Sequence, residues 1–350
     1  MLNEENSGRA KNSQLSLDMK AQASGGPAFR IFHGDCVPGM RALEKNSVDV
    51  VVTSPPYNIG IAYSTYKDKK SSEEFLDWCE QWAQGVRRVL KPDGAFFLNL
   101  GNTSTNPFFA FEVAQRLCGL FVLQNTIHWI KSISIDKDEG TESYGHFKPI
   151  NSERYLNDCQ EYVFHFTLNG NTRLDRLAVG VPYADKSNIR RWSHTGGRDK
   201  RCRGNVWFIP YQTICRRAKE RPHPATFPTE LAVKCIRLHG KKNAVVLDPF
   251  LGIGHAALAA RQCSDLVSEF IGFDIDEEYL NVACEVLGCA WATSMQNEQA
   301  LHSLKYRQLK ADIKEGIDDL QRGRVSAKSV DDLIAEGKER LKAPKPDGSA

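Results

Sequence analysis

The feature that most restricts the fold of this chain is an alternation of short apolar, β-branched runs with longer amphipathic segments. The run Val48–Thr53 suits a parallel strand buried on both faces, whereas residues 71–90 carry an acidic first turn and apolar positions at helical spacing. Because parallel strands need crossover helices, the alternation predicts an α/β fold with a doubly wound sheet. Seven strands are predicted, beginning at Phe29, Val48, Ala95, Thr126, Glu161, Ala244 and Phe270.

The length of 350 residues allows one large domain, or one domain with a sizeable insertion. The chain contains no apolar run near the roughly 18 residues that span a bilayer, so no membrane partner is expected. Residues 1–28 are polar and lack the apolar stretch of a signal peptide, which predicts a disordered leader in a cytoplasmic protein. Residues 291–350 are charged with nearly balanced signs, and they are predicted to form a helical appendage and a tail.

Ten cysteines are scattered along the chain, and none forms a Cys-x-x-Cys pair. This spacing favours neither a zinc site nor a disulfide framework, so we expect no metal. Several cysteines lie inside apolar segments, where a thiol behaves as a small core side chain.

Positive charge is concentrated in one part of the sequence. The net charge of the chain is only +3, yet the stretch from Arg173 to Arg221 holds 13 Lys or Arg against 4 Asp or Glu. It is also rich in Gly and Pro and has little periodicity, which favours an insertion at 171–222. A basic block in an otherwise acidic chain predicts a polyanionic partner, although a solvated charged surface would have the same composition.

A glycine-containing turn, residues 248–254 (DPFLGIG), follows one predicted strand and precedes a helix. Glycines at this position permit a tight turn and close approach of the backbone to a ligand. The next predicted strand ends at Asp274, where an acid can accept hydrogen bonds from ribose hydroxyls. The pair of features predicts a ligand that contains a nucleoside, whereas a helix-capping role for Asp274 is the simpler alternative.

Residues 53–58 (TSPPYN) form a second distinctive turn, directly after the strand Val48–Thr53. Two prolines stiffen the turn and remove two N–H donors, so it presents acceptors beside an aromatic ring. Acceptors at Ser54 and at the Pro55 carbonyl could draw a planar exocyclic amine towards a tetrahedral shape, while Tyr57 stacks on the base. The turn therefore predicts a corner that positions an amino group for attack on a methyl group.

Both turns resemble known motifs of the amino-group DNA methyltransferases, which carry D/N/S-P-P-Y/F/W and D-P-F-x-G-x-G. Here the SPPY motif precedes the DPFLGIG motif, an order similar to that of the circularly permuted β group. The resemblance implies a seven-stranded, mostly parallel Rossmann-like sheet, S-adenosyl-L-methionine as cofactor and double-stranded DNA as partner. It divides the chain into a catalytic half at 29–170, a target-recognition insertion at 171–222 and a cofactor-binding half at 223–290.

The resemblance also implies roles for individual residues. The catalytic residues would be Ser54, Pro55, Pro56 and Tyr57. The cofactor-binding residues would be Asp35, Thr53, Pro228, Thr229, Asp248, Pro249, Phe250, Gly252, Gly254 and Asp274. Contacts with DNA phosphates and guanine edges would come from Arg190, Arg191, Arg198, Lys200, Arg201 and Arg203.

A serine at the first position of the catalytic motif is typical of cytosine-N4 enzymes, and the target base would leave the duplex stack to reach it. The sequence thus predicts methylation of the cytosine N4 amino group, within a restriction-modification system that could include a cognate endonuclease. An adenine-N6 enzyme is the first alternative. The others are a protein-glutamine methyltransferase, a dinucleotide dehydrogenase and a DNA-binding protein without catalysis. A monomer and a homodimer both remain open.

Overall fold

A computed structural model describes residues 26–58, 69–103, 106–147, 152–210 and 226–293. The predicted tail beyond residue 293 and most of the leader lie outside the described residues, and all described residues belong to the first of two compact units, 1–296 and 297–350. The strands are β1 (Ala28–His33), β2 (Val48–Thr53), β3 (Leu90–Leu100), β4 (Val122–Ile130), β5 (Ser132–Lys137), β6 (Gly140–Gly145), β7 (Gln160–Thr167), β8 (Val206–Phe208), β9 (Ala244–Asp248), β10 (Val267–Asp274) and β11 (Trp291–Thr293). The helices are α1 (Cys36–Ala42), α2 (Ser72–Val89), α3 (Phe109–Leu117), α4 (Ser187–Arg191), α5 (Thr229–His239), α6 (His255–Gln262) and α7 (Glu277–Leu287).

The predicted doubly wound α/β sheet is confirmed, with strand order β11-β1-β10-β9-β2-β3-β7-β4-β8. All seven predicted strands are present, but the sheet described here has nine strands rather than seven. Each added strand, β8 and β11, is three residues long and lies at one edge. Strand β7 runs antiparallel to both β3 and β4, and the other pairings within the sheet are parallel. Strands β5 and β6 form a separate hairpin.

The chain reverses its winding between β2 and β9. Strand β2 leads through α2 to β3 on one side, whereas β9 leads through α6 to β10 on the other. The carboxyl ends of β2 and β9 therefore lie next to each other at the switch point of the sheet, where ligands bind in folds of this kind. The two distinctive turns of the sequence follow exactly these two strands, so the fold brings them to one crevice.

Each face of the sheet is covered by helices that bury an apolar stripe. Helix α2 begins with a capping box in which Ser71 and Glu74 satisfy each other's backbone N–H groups, and its Trp82 is fully buried. Helices α1, α2 and α3 contribute to the core on this face. Helices α5, α6 and α7 contribute to the core on the opposite face. Among the described residues, no helix is long and apolar enough to cross a bilayer.

The one charged residue inside the apolar run of β2, Asp49, is fully buried. Its carboxylate lies 2.7 Å from Lys91 Nζ and 2.8 Å from Lys241 Nζ, and it accepts the backbone N–H of Val245 at 2.9 Å. Burial alone would raise the pKa of Asp49, but the hydrogen bonds from Lys241, Lys91 and Val245 outweigh it and lower that pKa. Asp49 thus joins β2, β3 and β9 near the edge opposite the crevice.

The main sheet differs from the prediction at three further points along the chain. The basic region 171–222 contains β8, which pairs in parallel with β4 and extends the main sheet. Strand β3 begins at Leu90 rather than Ala95, because Leu90 already pairs with Val48 of β2. A register shift then separates this pair from the next one, Val50 with Ala95. The segment 291–350 begins with β11, which pairs with β1.

Candidate active site

The two distinctive turns are joined by a buried hydrogen bond. Thr53 Oγ1, at the end of β2, donates to Asp248 Oδ1, at the end of β9, over 2.6 Å. Thr53 is fully buried and Asp248 is 1% exposed, so no bulk water competes for this bond. The same aspartate oxygen accepts the backbone N–H of Phe250 at 3.0 Å, which fixes the start of the glycine turn. The catalytic and cofactor motifs therefore share one crevice.

The glycine turn is held by the carboxylate of Asp274. Its Oδ2 accepts the Gly252 N–H at 2.7 Å, and its Oδ1 accepts the Asp276 N–H at 2.9 Å. Gly252 and Gly254 have φ values of 53° and 90°, a left-handed conformation that a residue with a Cβ adopts at a cost. Each carboxylate oxygen keeps a further lone pair, so Asp274 can hold the turn and accept a ribose hydroxyl together.

The other residues predicted to bind cofactor lie at the ends of neighbouring strands and helices. Asp35 follows β1, the neighbour of β10, and caps α1 by accepting the Val37 N–H at 2.7 Å. Pro228 and Thr229 begin α5, and the carbonyl of Phe227 just before them lies 2.5 Å from the His255 ring nitrogen at the start of α6. Pro249 is buried, and the Phe250 ring packs edge-on against Trp82 with centroids 5.3 Å apart.

The acidic groups of the crevice suit a ligand that carries positive charge and a ribose. Burial raises the pKa of Asp248 to about 7 and that of Asp274 to about 6, against the opposing effect of the hydrogen bonds that they accept. A nearby cation would stabilise the ionised form of both groups. S-adenosyl-L-methionine carries a sulfonium, an ammonium and ribose hydroxyls, so its chemistry matches these residues.

The turn of residues 53–58, called the catalytic corner after its predicted role, is part of a hydrogen-bonded cluster that the sequence motifs did not reveal. Ser54 Oγ lies 2.9 Å from the Tyr57 hydroxyl, and the side chain of Asn99 donates to that hydroxyl at 2.9 Å. Asn99 also donates to Glu161 Oε2 at 2.7 Å, and the Tyr57 hydroxyl lies 3.1 Å from the same oxygen. Lys131 pairs with the other oxygen of Glu161 at 3.1 Å.

Sequence reasoning missed Asn99 and Lys131. It gave Glu161 no role of its own, although residues 157–162 resemble a late motif on the catalytic side of the family. Asn99 is a single polar residue in the apolar run of β3, and Glu161 is near the start of β7. Because β7 is antiparallel, its start lies at the same edge as the ends of β2 and β3. For Asn99 the available signal was a polar residue in an otherwise apolar strand, and this signal did not indicate its partners.

The basic residues predicted to bind DNA lie on α4 and on the loop that leads to β8. The exposed ones are Arg190, Arg191, Arg198, Lys200 and Arg201. Arg203 is half-buried, and its Nε donates to the Val179 carbonyl at 3.0 Å, so it supports the loop. Asp199 organises the segment by accepting the Tyr183 N–H at 2.9 Å and pairing with Lys186 at 2.6 Å.

Comparison with known proteins agrees with the arrangement of the two turns. The model of the N6/N4 DNA methylase family matches residues 48–285, which include both distinctive turns. The chain belongs to this family. It is therefore a methyltransferase that uses S-adenosyl-L-methionine, as the acidic residues of the crevice indicate.

Relatives of this N6/N4 DNA methylase cover most of its length. Type II methyltransferase M.ScaI of Streptomyces caespitosus is 30% identical over 293 residues, or 79% of this chain and 88% of that protein. DNA adenine methyltransferase YhdJ of Escherichia coli is 27% identical over 274 residues, or 76% of this chain and 85% of that protein. The solved PvuII DNA methyltransferase (cytosine-N4-specific) is 19% identical, has a TM-score of 0.52 and covers 74% of this chain and 88% of its own, which shows a shared fold.

We expect Asp248→Asn to remove a pH-dependent part of the stability of the ligand-free protein. The folded pKa of Asp248, about 7, lies above its unfolded value of 3.8. The neutral acid therefore contributes stability that is complete below pH 3.8 and lost as the pH rises through about 7. Urea unfolding between about pH 5 and about pH 8 should show a steeper loss of unfolding free energy in the wild type than in the variant.

The control for this measurement is Asp265→Asn, which removes an exposed carboxylate paired with Arg237. It should change the unfolding free energy by less than about 1 kcal/mol. Parallel pH profiles for the wild type and Asp248→Asn would contradict the assignment.

Proposed function

We propose that this DNA methylase transfers a methyl group from S-adenosyl-L-methionine to the exocyclic N4 amino group of cytosine in duplex DNA. The observation that carries the proposal is the hydrogen bond between Thr53 and Asp248, because it holds the acceptor-rich corner and the glycine turn in one crevice. A nucleophile bound at the corner and a methyl donor bound at the turn would already be oriented towards each other, which lowers the entropic cost of the reaction.

The corner supplies acceptors to the target amine. Ser54 Oγ and the Pro55 carbonyl each accept one N–H of the amino group, which localises the nitrogen lone pair. Tyr57 packs its ring against Phe109 with centroids 5.9 Å apart, and the ring would stack on the base. The cofactor, when bound, supplies an electrophilic methyl group on sulfur. Asp274 would hold its ribose, and Asp248 would hold the glycine turn against it.

Cytosine is preferred over adenine because Ser54 is a neutral acceptor on a short side chain. The name of the PvuII enzyme gives cytosine-N4 specificity to a protein of the same fold. The name of YhdJ gives adenine specificity to a relative that is 27% identical, so adenine N6 is the second candidate. Both reactions use the same crevice, and the product alone distinguishes them.

The decisive experiment is incubation of the purified chain with labelled S-adenosyl-L-methionine and mixed-sequence duplex DNA, followed by digestion and mass spectrometry of the nucleosides. We expect N4-methyldeoxycytidine in large excess. N6-methyldeoxyadenosine as the main product would establish the second candidate. Tight DNA binding with no methyl transfer to any duplex would support a DNA-binding protein without catalysis.

The exposed basic residues between α4 and β8 are proposed as the DNA-binding surface. Five exposed cations in a short segment would contact phosphates, and a subset would reach guanine edges in the major groove. The target cytosine would flip out of the duplex to reach Ser54, at a cost of a few kcal/mol of unstacking. Since several relatives are named type II methyltransferases, we place the chain in a restriction-modification system.

The double variant Arg190→Ala/Arg191→Ala should lower the salt dependence of DNA binding. Each phosphate contact contributes about 0.9 to the slope of log affinity against log salt, so loss of two contacts should reduce the slope by roughly 1.8. Fluorescence anisotropy over a salt series measures this slope. The comparison variant is Lys234→Ala, since Lys234 lies on α5 and pairs with Glu230, and its slope should match the wild type. An unchanged slope in the double variant would remove α4 from the DNA-binding surface.

Ser54→Ala and Asp274→Asn should separate catalysis from cofactor binding. Ser54→Ala removes an acceptor of the target amine, so the single-turnover rate should fall on the order of 100-fold while cofactor affinity stays within about 3-fold. Asp274→Asn weakens hydrogen bonds at the ribose and the glycine turn, so the cofactor Kd should rise about 10- to 100-fold. Calorimetry and rapid-quench kinetics give the two quantities, and the reverse pattern would exchange the proposed roles.

A further inference from the structure

In the cluster beside the catalytic corner, the donor of each hydrogen bond can be assigned from the donors and acceptors that are present. An ionised carboxylate only accepts, so Glu161 Oε2 must receive hydrogen bonds from both Asn99 at 2.7 Å and Tyr57 at 3.1 Å. The phenol of Tyr57 has a single hydrogen and two acceptors within reach, Glu161 Oε2 at 3.1 Å and the Asn99 carbonyl at 3.3 Å. We assign the hydrogen to Glu161, the nearer acceptor and the charged one. The Tyr57 oxygen accepts from Asn99 at 2.9 Å, and Ser54 Oγ at 2.9 Å becomes its second donor.

This assignment determines what Ser54 offers to a substrate. If the hydroxyl hydrogen of Ser54 is used towards Tyr57, the lone pairs of Ser54 Oγ face away from that bond. The nearest competing donor, Asn99 Nδ2, lies at 3.4 Å and already has two shorter bonds for its two hydrogens. Ser54 is therefore presented as an acceptor, which is the role that an amino group of a base requires.

Glu161 itself is held on both sides. Lys131 Nζ lies 3.1 Å from Oε1, the oxygen that does not receive the Tyr57 hydrogen. The side chains of Glu161 and Lys131 are 17% and 19% exposed, so the ion pair is largely shielded from water. Residue 101 is glycine, and a Cβ at that position would lie 2.9 Å from Glu161 Cγ. The backbone after β3 thus leaves room for this one carboxylate.

We propose that Glu161 is a positioning residue that acts through Tyr57: it orients Ser54 as an acceptor and finally takes the proton that the target nitrogen loses. The inference rests on the proposed function, because it needs an amino group at Ser54. It adds a residue outside the SPPY motif and gives Tyr57 a role for its hydroxyl as well as its ring.

The proton transfer balances in three linked steps. When the amine nitrogen forms its bond to the methyl carbon, the carbon–sulfur bond breaks, its electron pair stays on sulfur, and the nitrogen becomes cationic. The nitrogen gives one proton to Ser54 Oγ, Ser54 gives its own hydrogen to the Tyr57 oxygen, and Tyr57 gives its hydrogen to Glu161 Oε2. Both hydroxyls end neutral, the methylated amine ends neutral, and Glu161 ends protonated until it exchanges with solvent.

Glu161→Gln tests the proposal because it keeps the size of the side chain and removes the obligate acceptor. We expect the single-turnover methylation rate to fall on the order of 100-fold, the lower end of what proton transfer contributes. The dissociation constants for cofactor and DNA should stay within about 3-fold, which a general structural defect would not produce. The matched control is Glu269→Gln, a strand glutamate paired with Arg30 at 3.0 Å on β10, and its rate should equal the wild-type rate.

The cluster also permits a rescue, since Asn99 and Glu161 are hydrogen-bonded to each other and both contact Tyr57. The swap Asn99→Asp/Glu161→Gln returns a carboxylate to the Tyr57 hydroxyl from the neighbouring strand. It should recover at least 10-fold of the rate lost in Glu161→Gln, on the same methylated nucleoside.

Three outcomes would overturn the proposal: a Glu161→Gln rate within 3-fold of the wild type, a loss confined to substrate binding, or a swap variant no faster than Glu161→Gln. If Glu161→Gln does not fold, Tyr57→Phe takes its place, because it keeps the ring and breaks the hydroxyl chain. A rate for Tyr57→Phe within 3-fold of the wild type would equally overturn it. The product analysis of the wild type does not depend on these variants. Failure of the variant tests would therefore overturn the role of Glu161 and leave the proposed function intact. Failure of the proposed function would show in the wild-type product, before any variant is made.

Discussion

The structure depends on one short hydrogen bond at the centre of its sheet. Thr53 and Asp248 are 195 positions apart in the chain, yet their side chains meet at 2.6 Å where β2 and β9 end. These two strands pair in parallel at Val50 with Val246 and at Val51 with Leu247. A buried acid without a partner is costly, so this bond and the Phe250 N–H satisfy Asp248 and set where each turn leaves the sheet.

That hydrogen bond explains how two turns from distant parts of the chain are held next to each other. The catalytic corner begins one residue after Thr53, and the glycine turn begins at Asp248 itself. Neither turn needs a long flexible arm to reach the other. The raised pKa values of Asp248 and Asp274 follow from the same burial, and a cationic ligand would reverse part of that penalty. Binding of a cationic ligand is thereby coupled to the ionisation of the two acids that hold the crevice together.

Much of this arrangement could be predicted from the sequence, because its signals are local. The run of β2, the two turns and Asp274 can each be recognised within a few residues, and all seven predicted strands are present in the main sheet. The two three-residue edge strands could not be found, since so short a segment has no periodicity to detect. The early start of β3 was missed because its proline and glycine are typical of a turn.

The polar cluster was missed for a different reason: it exists only in three dimensions. Ser54 follows β2, Asn99 lies in β3 and Glu161 lies in β7, and the strand order β2-β3-β7 brings the three together. An antiparallel β7 is essential to this, because a parallel strand would carry the position of Glu161 to the opposite edge of the sheet. The single reversed strand therefore has a chemical consequence. It supplies a carboxylate beside the catalytic corner without placing an acid in the corner itself, so Ser54 can remain a neutral acceptor while charge is held two hydrogen bonds away.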